Sequence, residues 1–228
     1  MSVIIDYIPL ILKGMLLTVE LALLSLLIAM VLGIAGALAK LSKSPIARSV
    51  AGIYTTIIRG IPDLVLMTIL FFGGQIIVND IGDKLGWEYI DISPFMAGTV
   101  TLGFIFGAYF AETFRGGILA VSRGEIEAGI AFGMTPIQVF LRITLPAMIR
   151  HALPGFGNNW LVLTKATALV SVIGLQDMLY NANLAGGSTR KPFTFLCAVA
   201  FLYLVITGVS NFGLRWLDKR YSVGVRKA

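Results

Sequence analysis

Residues 21–39 read LALLSLLIAMVLGIAGALA, a run without a single charged side chain. A helix that crosses the hydrocarbon core of a bilayer needs about 20 apolar residues, so this run predicts a transmembrane helix. Residues 192–214 form a second uncharged run, and three further segments are apolar over most of their length: 64–78, 94–111 and about 152–175. The sequence therefore predicts an all-α integral membrane protein with five transmembrane helices.

The composition also indicates a membrane protein. Of the 228 residues, 57% are hydrophobic and 13% are charged, whereas soluble domains carry about a quarter charged residues. So few charged side chains cannot cover the surface of a soluble globule. No internal repeat, linker or low-complexity tract divides the chain, so we expect a single membrane domain over residues 1–228.

The signs of the charges along the predicted connections indicate the orientation of the chain. Lysine and arginine collect on the cytoplasmic side of membrane proteins. The connections after the first, third and fifth segments are basic, whereas the connection after the second is acidic. The amino terminus is therefore predicted outside and the carboxyl terminus inside. The inner basic residues are Lys40, Lys43, Arg48, Arg59, Arg115, Arg123, Arg142, Arg150, Arg215, Lys219, Arg220, Arg226 and Lys227, with Arg190 and Lys191 as a minor exception in the last outer connection.

The same alternation argues against a nucleic-acid-binding surface, despite a net charge of +6. Nucleic acid binding needs basic side chains gathered on one face, and here the bilayer would interrupt any such face.

The connection over about residues 122–146 carries signals for two short helices. Ser122 followed by Glu125 matches a capping box, which satisfies free backbone N–H groups at a helix start. Gly133 suits the left-handed position that commonly ends a helix. We therefore expect a first helix that runs through Phe132 and stops at Gly133.

A second helix start follows directly. Thr135 is a suitable N-cap, and Pro136 is tolerated at the first helical position. We expect this helix to end at about Thr144, ahead of Leu145 and Pro146. The two short helices would then form a hairpin on the inner side of the membrane.

Small and apolar side chains on both helices leave two interpretations of this hairpin. It could lie on the lipid interface, or it could dock into a cleft of a soluble partner. Interfacial helices favour lysine and arginine on their polar face, whereas the first helix carries acidic charges after Arg123, with glycine and alanine on its surface. The residues favour docking and leave the interfacial interpretation open.

The same connection resembles the EAA loop in permease subunits of ATP-binding-cassette importers. That signature reads Glu-Ala-Ala-x3-Gly-x9-Ile-x-Leu-Pro, and the chain departs from it only where Gly129 replaces the second alanine. The matching residues are Glu127, Ala128, Gly133, Ile143, Leu145 and Pro146. The resemblance continues through residues 58–63, 112–116 and 153–160, and it indicates the branch for polar amino acids, of the type that carries histidine, lysine, arginine and ornithine.

This resemblance implies the fold of type I importer permeases, the MetI-like fold, in a bacterial inner membrane. It also implies several partners: a second permease subunit, identical or paralogous, two cytosolic ATPase subunits, and a periplasmic binding protein that delivers the amino acid. Among these we expect a paralogous permease partner, and membrane lipid surrounds the assembly.

ATP and magnesium are expected to bind to the ATPase subunits. This chain lacks the Gly-x4-Gly-Lys-Ser/Thr phosphate loop, so we expect it to bind no cofactor and to catalyse no reaction. A lone His151 without companions does not predict a metal site.

The resemblance assigns ATPase coupling to seven residues of the hairpin. The carboxylate of Glu127 could stabilise the positive end of its own helix, or it could form a contact that fixes the hairpin against the ATPase. A side chain at Gly133 would alter the angle between the two helices. The full set is Glu127, Ala128, Gly129, Gly133, Ile143, Leu145 and Pro146.

Ionisable groups inside the membrane are costly and commonly face a pathway or a partner. Glu112 and Lys165 are therefore candidates for the substrate pathway. An ion pair with Arg115, three residues further along one helix, offers a simpler account of Glu112. For Lys165, a salt bridge across the subunit boundary and a contact with the substrate carboxylate remain equally open.

Asn158 and Asn159 complete the candidate pathway set. The resemblance implies that this region of the chain contributes to a substrate site in the membrane. Helix capping or cross-linking between helices is the alternative role for both amides.

Two other classes of function remain as alternatives. A stand-alone secondary carrier of amino acids would need more helices and commonly shows repeat symmetry. A membrane enzyme would need a set of catalytic residues, and the sequence offers none. We therefore predict a permease subunit.

Overall fold

The computed structural model describes residues 2–221, with side chains from residue 6 onward. Arg226 and Lys227, which contribute to the predicted inner charge, lie outside this range. All regular structure within it is helical, and the bounds of the nine α-helices are α1 Ser2–Leu41, α2 Pro45–Gly60, α3 Asp63–Leu85, α4 Pro94–Leu119, α5 Arg123–Ala131, α6 Pro136–Val139, α7 Leu145–Ala166, α8 Met178–Thr189 and α9 Pro192–Tyr221.

Four of the described helices, α1, α3, α4 and α9, are long and apolar enough to cross a bilayer. A fifth span results if α7 and α8 form one crossing that is bent by 53°. The prediction of an all-α membrane architecture is therefore confirmed, and the count of five depends on this broken span.

The core of the subunit forms where α1 lies against α4. Glycines replace larger side chains along this contact: a Cβ atom at Gly33 would lie 2.6 Å from the Cβ of Phe110, and one at Gly103 would lie 2.6 Å from the Cβ of Ile28. Small residues allow helix backbones to approach closely in lipid, where apolar burial drives association only weakly. Gly33 and Gly103 therefore allow the close contact of α1 with α4.

Two clusters of buried apolar side chains divide the fold. The larger one joins the middle of α1 to α3, α4 and α7 around Phe106 and Phe110. The smaller one joins the amino-terminal half of α1 to α8 and α9 around Met178 and Phe195. The bend between α7 and α8 lies where the chain passes from the first cluster to the second.

The predicted boundaries of the early helices need correction. The first predicted span, from Leu21, belongs to a helix that begins at Ser2. The second span reaches Leu85 and therefore includes Asp80 and Asp83, which were assigned to an outer loop. Periodic apolar residues continue beyond the uncharged runs in both cases, and helices do not end at a single exposed charge.

The residues before the second span form a separate helix. Helix α2 ends at Gly60, and Ile61 and Pro62 are extended, so α3 begins anew at Asp63. The residue before a proline is disfavoured in the helical region, which explains the break. On α2, the hydroxyl of Tyr54 donates to the Phe104 carbonyl oxygen at 2.6 Å, and burial raises the pKa of Tyr54 to about 12.

The connection before the last span contains a helix that the sequence did not predict. Residues 167–173 form a 3₁₀ turn that ends at Gly174, whose φ is 93°. Helix α8 then begins after Asp177, whose side chain accepts a hydrogen bond from the Tyr180 N–H at 2.8 Å. Its sequence is mixed in polarity and short, so hydropathy alone indicated a loop.

Candidate functional site

The hairpin of α5 and α6 has the predicted glycine hinge. Gly133 has a φ of 79°, in the left-handed region that favours glycine. Its N–H donates to the Ile130 carbonyl at 2.9 Å, and the N–H of Met134 donates to the Gly129 carbonyl at 3.1 Å. These bonds satisfy the last carbonyls of α5 and turn the chain sharply toward α6.

The capping box occurs at the second helix rather than the first. The Ser122 side chain forms no capping bond at the start of α5, so the predicted box with Glu125 is wrong. At α6, the Gln138 N–H donates to the Thr135 hydroxyl at 3.4 Å, and the Thr135 N–H donates to the Gln138 side-chain oxygen at 2.9 Å. Glutamine serves as well as glutamate at this position. The sequence signal for this capping box was therefore Thr135 followed three residues later by Gln138.

The two arms of the hairpin contact each other through residues of the predicted coupling set. Gly129 is buried, and a Cβ atom there would lie 2.5 Å from the Cδ1 atom of Ile143 and 3.4 Å from a methyl carbon of Val139. The glycine that departs from the EAA signature is therefore the point where Ile143 packs on α5.

The second arm continues directly into α7. Residues 140–144 form a π turn in which the Leu145 N–H donates to the Phe140 carbonyl. The expected end of the second helix near Thr144 is therefore wrong, because the wider turn accommodates Pro146 in the first turn of α7. A movement of the hairpin would pass into α7 without an intervening loop.

Several large apolar side chains of the hairpin are exposed. The exposed fraction is 87% for Phe132, 71% for Ile137 and 59% for Ile130. Between the arms lies a depression of about 350 Å³, lined by Ile126, Ile130, Met134, Pro136, Val139, Phe140 and Thr144. Exposed apolar groups of this size are typical of a surface that another protein covers.

The remaining coupling residues lie around this surface. Glu127, Ala128 and Pro146 are exposed, whereas Leu145 is half-buried. Glu127 takes part in neither of the ion pairs found within residues 6–221, so a local charge partner does not account for it.

Glu112 is the centre of an ionic cluster. The Arg115 guanidinium donates to its Oε2 atom at 2.9 Å through Nη2 and at 3.0 Å through Nε, as the spacing predicted. The Lys40 ammonium on α1 also pairs with Glu112 and donates to the Thr55 hydroxyl at 2.7 Å. Sequence reasoning missed Lys40 as a partner, because 72 residues separate it from Glu112.

The two neighbouring asparagines lie on different faces of α7. Asn159 is buried, and its Nδ2 atom donates to the Thr113 hydroxyl at 2.9 Å, which joins α7 to α4. Asn158 is exposed and lines a groove between α7 and α9 together with Asn211 and Arg215. The structure thus separates two residues that the sequence placed together.

Lys165 is exposed near the end of α7. It is a member of neither ion pair within the described side chains. Both of its predicted roles, a salt bridge across the subunit boundary and a contact with the substrate carboxylate, involve a group outside this subunit. No cluster of three or more metal-ligating side chains occurs among the described residues.

The comparison with known families gives one match. Residues 29–223 match the family described as "Binding-protein-dependent transport system inner membrane component". The matched region includes the hairpin, the second to fifth predicted spans, and the first span from residue 29 onward.

Similar sequences include permeases from several bacteria. The histidine/lysine/arginine/ornithine transport system permease protein HisQ of Salmonella typhimurium is 54% identical over 218 residues, with 96% of each chain covered. The octopine transport system permease protein OccQ of Rhizobium meliloti is 40% identical, with 92% of this chain and 89% of that protein covered.

Solved structures share the fold. A crystal structure of an amino acid ABC transporter with histidines superposes with a TM-score of 0.81 at 31% identity, over 95% of this chain and 96% of that one. The MetNI methionine ABC transporter in an inward-facing conformation has a TM-score of 0.74 at 19% identity, over 95% and 98% of the two chains. The family match covers most of the sequence, and the chain therefore belongs to the binding-protein-dependent transport system inner membrane components.

Proposed function

We propose that this chain is the permease subunit of an ATP-driven importer for basic amino acids. The observation that carries the proposal is the hairpin: two short helices at a glycine hinge expose large apolar side chains and continue directly into α7. Such a surface suits a soluble motor protein, and its attachment to α7 suits the transfer of movement into the membrane.

The substrate class is inferred from the relatives. Curated relatives are named for histidine, lysine, arginine and ornithine transport, for octopine transport and for arginine transport. These cargoes share a free carboxylate and a side chain with a basic nitrogen. Basic amino acids are therefore the substrates to test first.

The partners follow from the same proposal. Two cytosolic ATPase subunits bind ATP and magnesium and close on each other, and Glu127, Ala128, Gly129, Gly133, Ile143, Leu145 and Pro146 transmit that closure. A second permease subunit, paralogous rather than identical, completes the pathway, and a periplasmic binding protein supplies the cargo. This chain itself catalyses no reaction and binds no cofactor.

Within the pathway, the four polar candidates have different roles. Glu112 stabilises the contact of α1 with α4 through its ion pair with Lys40, and Asn159 cross-links α7 to α4. Asn158 and Lys165 are exposed and remain available to cargo or to the partner permease.

The proposal is tested with the chain co-expressed with its ATPase, partner permease and binding protein. We expect the ATPase to co-purify, and proteoliposomes to take up arginine only when ATP is supplied on the ATPase side. Single cysteines at Phe132 and Ile137 should crosslink to the ATPase, whereas a cysteine at Val209 of α9, which is about as exposed as Ile137, should not. Uptake by this chain alone, driven by a proton or sodium gradient, would contradict the proposal and favour a secondary carrier.

A further inference from the structure

A polar depression lies beside the first half of α1, where the start of α8 packs against it. Its volume is about 310 Å³, and its polar lining consists of Lys13, Glu20, Gln176 and Asn181. Lys13 and Glu20 carry opposite charges, yet neither belongs to an ion pair among the described side chains. The depression therefore presents a cation and an anion that do not neutralise each other.

Asn181 supplies this depression with a hydrogen-bond acceptor in a fixed position. The residue is 4% exposed, and its Nδ2 atom donates to the Leu10 carbonyl at 3.1 Å and to the Gln176 carbonyl at 3.2 Å. Because both neighbours are acceptors, the nitrogen must face them and the Oδ1 atom must face away. Within the part of the chain that the structure describes, no group donates to this oxygen. Polar atoms of buried residues are nearly always paired, so we expect a donor on a bound molecule.

The depression lies at one edge of the predicted hydrocarbon core. Residues 21–39 are uncharged, and at a rise of 1.5 Å per residue they cover about 28 Å, close to the thickness of that core. Glu20 directly precedes this run, so it lies at the level of the lipid headgroups. Leu23 and Leu27 continue the same face of α1 into the core and are 49% and 59% exposed. A molecule in the depression therefore has an apolar surface beside it that suits acyl chains.

We propose that this depression binds a phospholipid with an ethanolamine headgroup. The Lys13 ammonium and the Gln176 side-chain amide donate to the phosphate of the lipid. The Glu20 carboxylate and the Asn181 Oδ1 atom accept hydrogen bonds from its primary ammonium group. The acyl chains lie along the exposed leucines of α1. The lipid thus connects α1 to the start of α8.

The donors and charges of the site distinguish this lipid from related molecules. A phosphatidylglycerol headgroup carries no ammonium, and its phosphate would be repelled by Glu20. A choline headgroup carries both charges, but its quaternary nitrogen has no N–H to donate to Glu20 or Asn181. A free amino acid has the charges and the donors but no acyl chain to cover the leucines. The second permease subunit could also cover this face of α1, and the test must detect that outcome.

The test measures lipid binding by native mass spectrometry on the purified complex that contains this chain. The complex is first delipidated in detergent and then titrated with dioleoyl lipids that carry ethanolamine, choline or glycerol headgroups. We expect the ethanolamine lipid to bind about tenfold more tightly than the choline lipid, because only its ammonium donates hydrogen bonds to a carboxylate.

Two substitutions separate the contacts of the ammonium from those of the phosphate. Glu20→Gln should weaken binding of the ethanolamine lipid about tenfold, remove its advantage over the choline lipid and strengthen binding of the glycerol lipid. Lys13→Gln should weaken binding of the ethanolamine and choline lipids about tenfold each, while the preference between them remains. A structural role alone would not move the preference in one variant and keep it in the other.

Two matched variants control for general charge effects. Lys84 is exposed near the end of α3, and Glu88 is exposed in the connection that follows. Lys84→Gln and Glu88→Gln should bind all three lipids as the wild type does. The thermal midpoint of the delipidated complex should be the same for the wild type and all four variants, because each substituted side chain is exposed and belongs to neither ion pair.

Several results would overturn the inference. Equal affinity of the wild type for ethanolamine and choline lipids would indicate nonspecific lipid contact, and unchanged binding in Glu20→Gln and Lys13→Gln would place the lipid elsewhere. Displacement of the bound lipid by millimolar L-arginine or L-alanine would assign the depression to a free amino acid. Crosslinking of a cysteine at the exposed Leu16 to the second permease subunit would assign this face of α1 to that subunit.

Discussion

At the scale of single residues, Gly133 determines the geometry of the hairpin. With a φ of 79°, it occupies a region where a Cβ atom costs roughly 1–2 kcal/mol. No other atom lies within 4 Å of the Cβ position, so the cost is conformational rather than steric. Glycine is therefore favoured at position 133 by the backbone conformation and not by a lack of space for a side chain.

We predict that Gly133→Asp lets the chain insert and assemble normally but removes most of the substrate-stimulated ATPase activity of the complex. The strain should change the angle between the two arms and misalign the exposed apolar residues. Gly133→Asn provides the control, because asparagine tolerates the left-handed region better than most residues, and it should retain more stimulation. Full stimulation in Gly133→Asp would show that the hinge angle is not used in coupling.

Glu127→Lys should give the same uncoupled behaviour for a different reason. Glu127 is exposed and has no ion-pair partner within the described residues, so reversal of its charge should leave the fold intact and disturb only a contact with a partner. Substrate-stimulated ATPase activity is the measurement, and the neighbouring exposed Glu125 supplies the matched control as Glu125→Lys. Equal effects at both positions would indicate nonspecific charge repulsion.

Glu112 illustrates a residue whose main partner only the fold reveals. Its carboxylate pairs with both Lys40 and Arg115, and each side chain of the Lys40–Glu112 pair is 19% exposed. Removal of the shared anion would leave two cations in a partly buried site, which costs about 1–3 kcal/mol.

We therefore expect Glu112→Gln to lower the thermal midpoint of the detergent-solubilised complex by several degrees. Lys40→Gln should restore part of that loss when combined with Glu112→Gln, because it removes one of the two uncompensated cations. Differential scanning fluorimetry of the single and double variants measures this coupling. Strictly additive effects of the two substitutions would contradict the ion pair.

At the scale of elements, the hairpin is held together by contact between its arms. Gly129 on α5 lies against Ile143 in the π turn, where a Cβ atom would lie 2.5 Å from the Cδ1 atom. This Cδ1 atom is the far end of a flexible side chain, so a small residue in place of Gly129 costs little. A branched side chain would force the arms apart.

We predict that Gly129→Ala is tolerated, whereas Gly129→Val abolishes most ATPase coupling because it displaces Ile143. Shortening the neighbour with Ile143→Ala should restore part of the activity to Gly129→Val. The measurement is ATP-driven uptake in proteoliposomes for the single and double variants. Lack of any rescue would show that the two arms are not coupled through this contact.

At the scale of the whole molecule, the charge distribution predicts an orientation that the structure alone does not determine. We expect a cysteine at Glu88, in the acidic connection after α3, to react with a membrane-impermeant maleimide in intact cells. A cysteine at Ser122, at the start of the hairpin, should react only after the inner membrane is permeabilised. Cys197 is exposed on α9, so both variants need a Cys197→Ser background, and the reverse labelling pattern would invert the topology.

The sequence by itself determined the membrane class, because long uncharged runs have no other stable environment. It also determined the site of the hairpin, since Gly133, Thr135 and Pro136 act on the backbone within one or two turns and need no distant partner. Residues 94 and 192 were correct helix starts for the same reason: a proline at the first helical position is a local signal.

Only the tertiary structure decided what depends on contacts between distant segments. The pairing of Lys40 with Glu112, the separation of Asn158 from Asn159, and the position of Arg59 over Tyr109 all result from the packing of α1, α2 and α7 around α4. Helix α8 and the π turn before Pro146 also escaped prediction: α8 packs against α1 and α9 in addition to its Asp177 cap, and the π turn has no side-chain cap of its own. Local signals specify backbone turns, whereas a polar side chain acquires its role from the groups that the fold brings beside it.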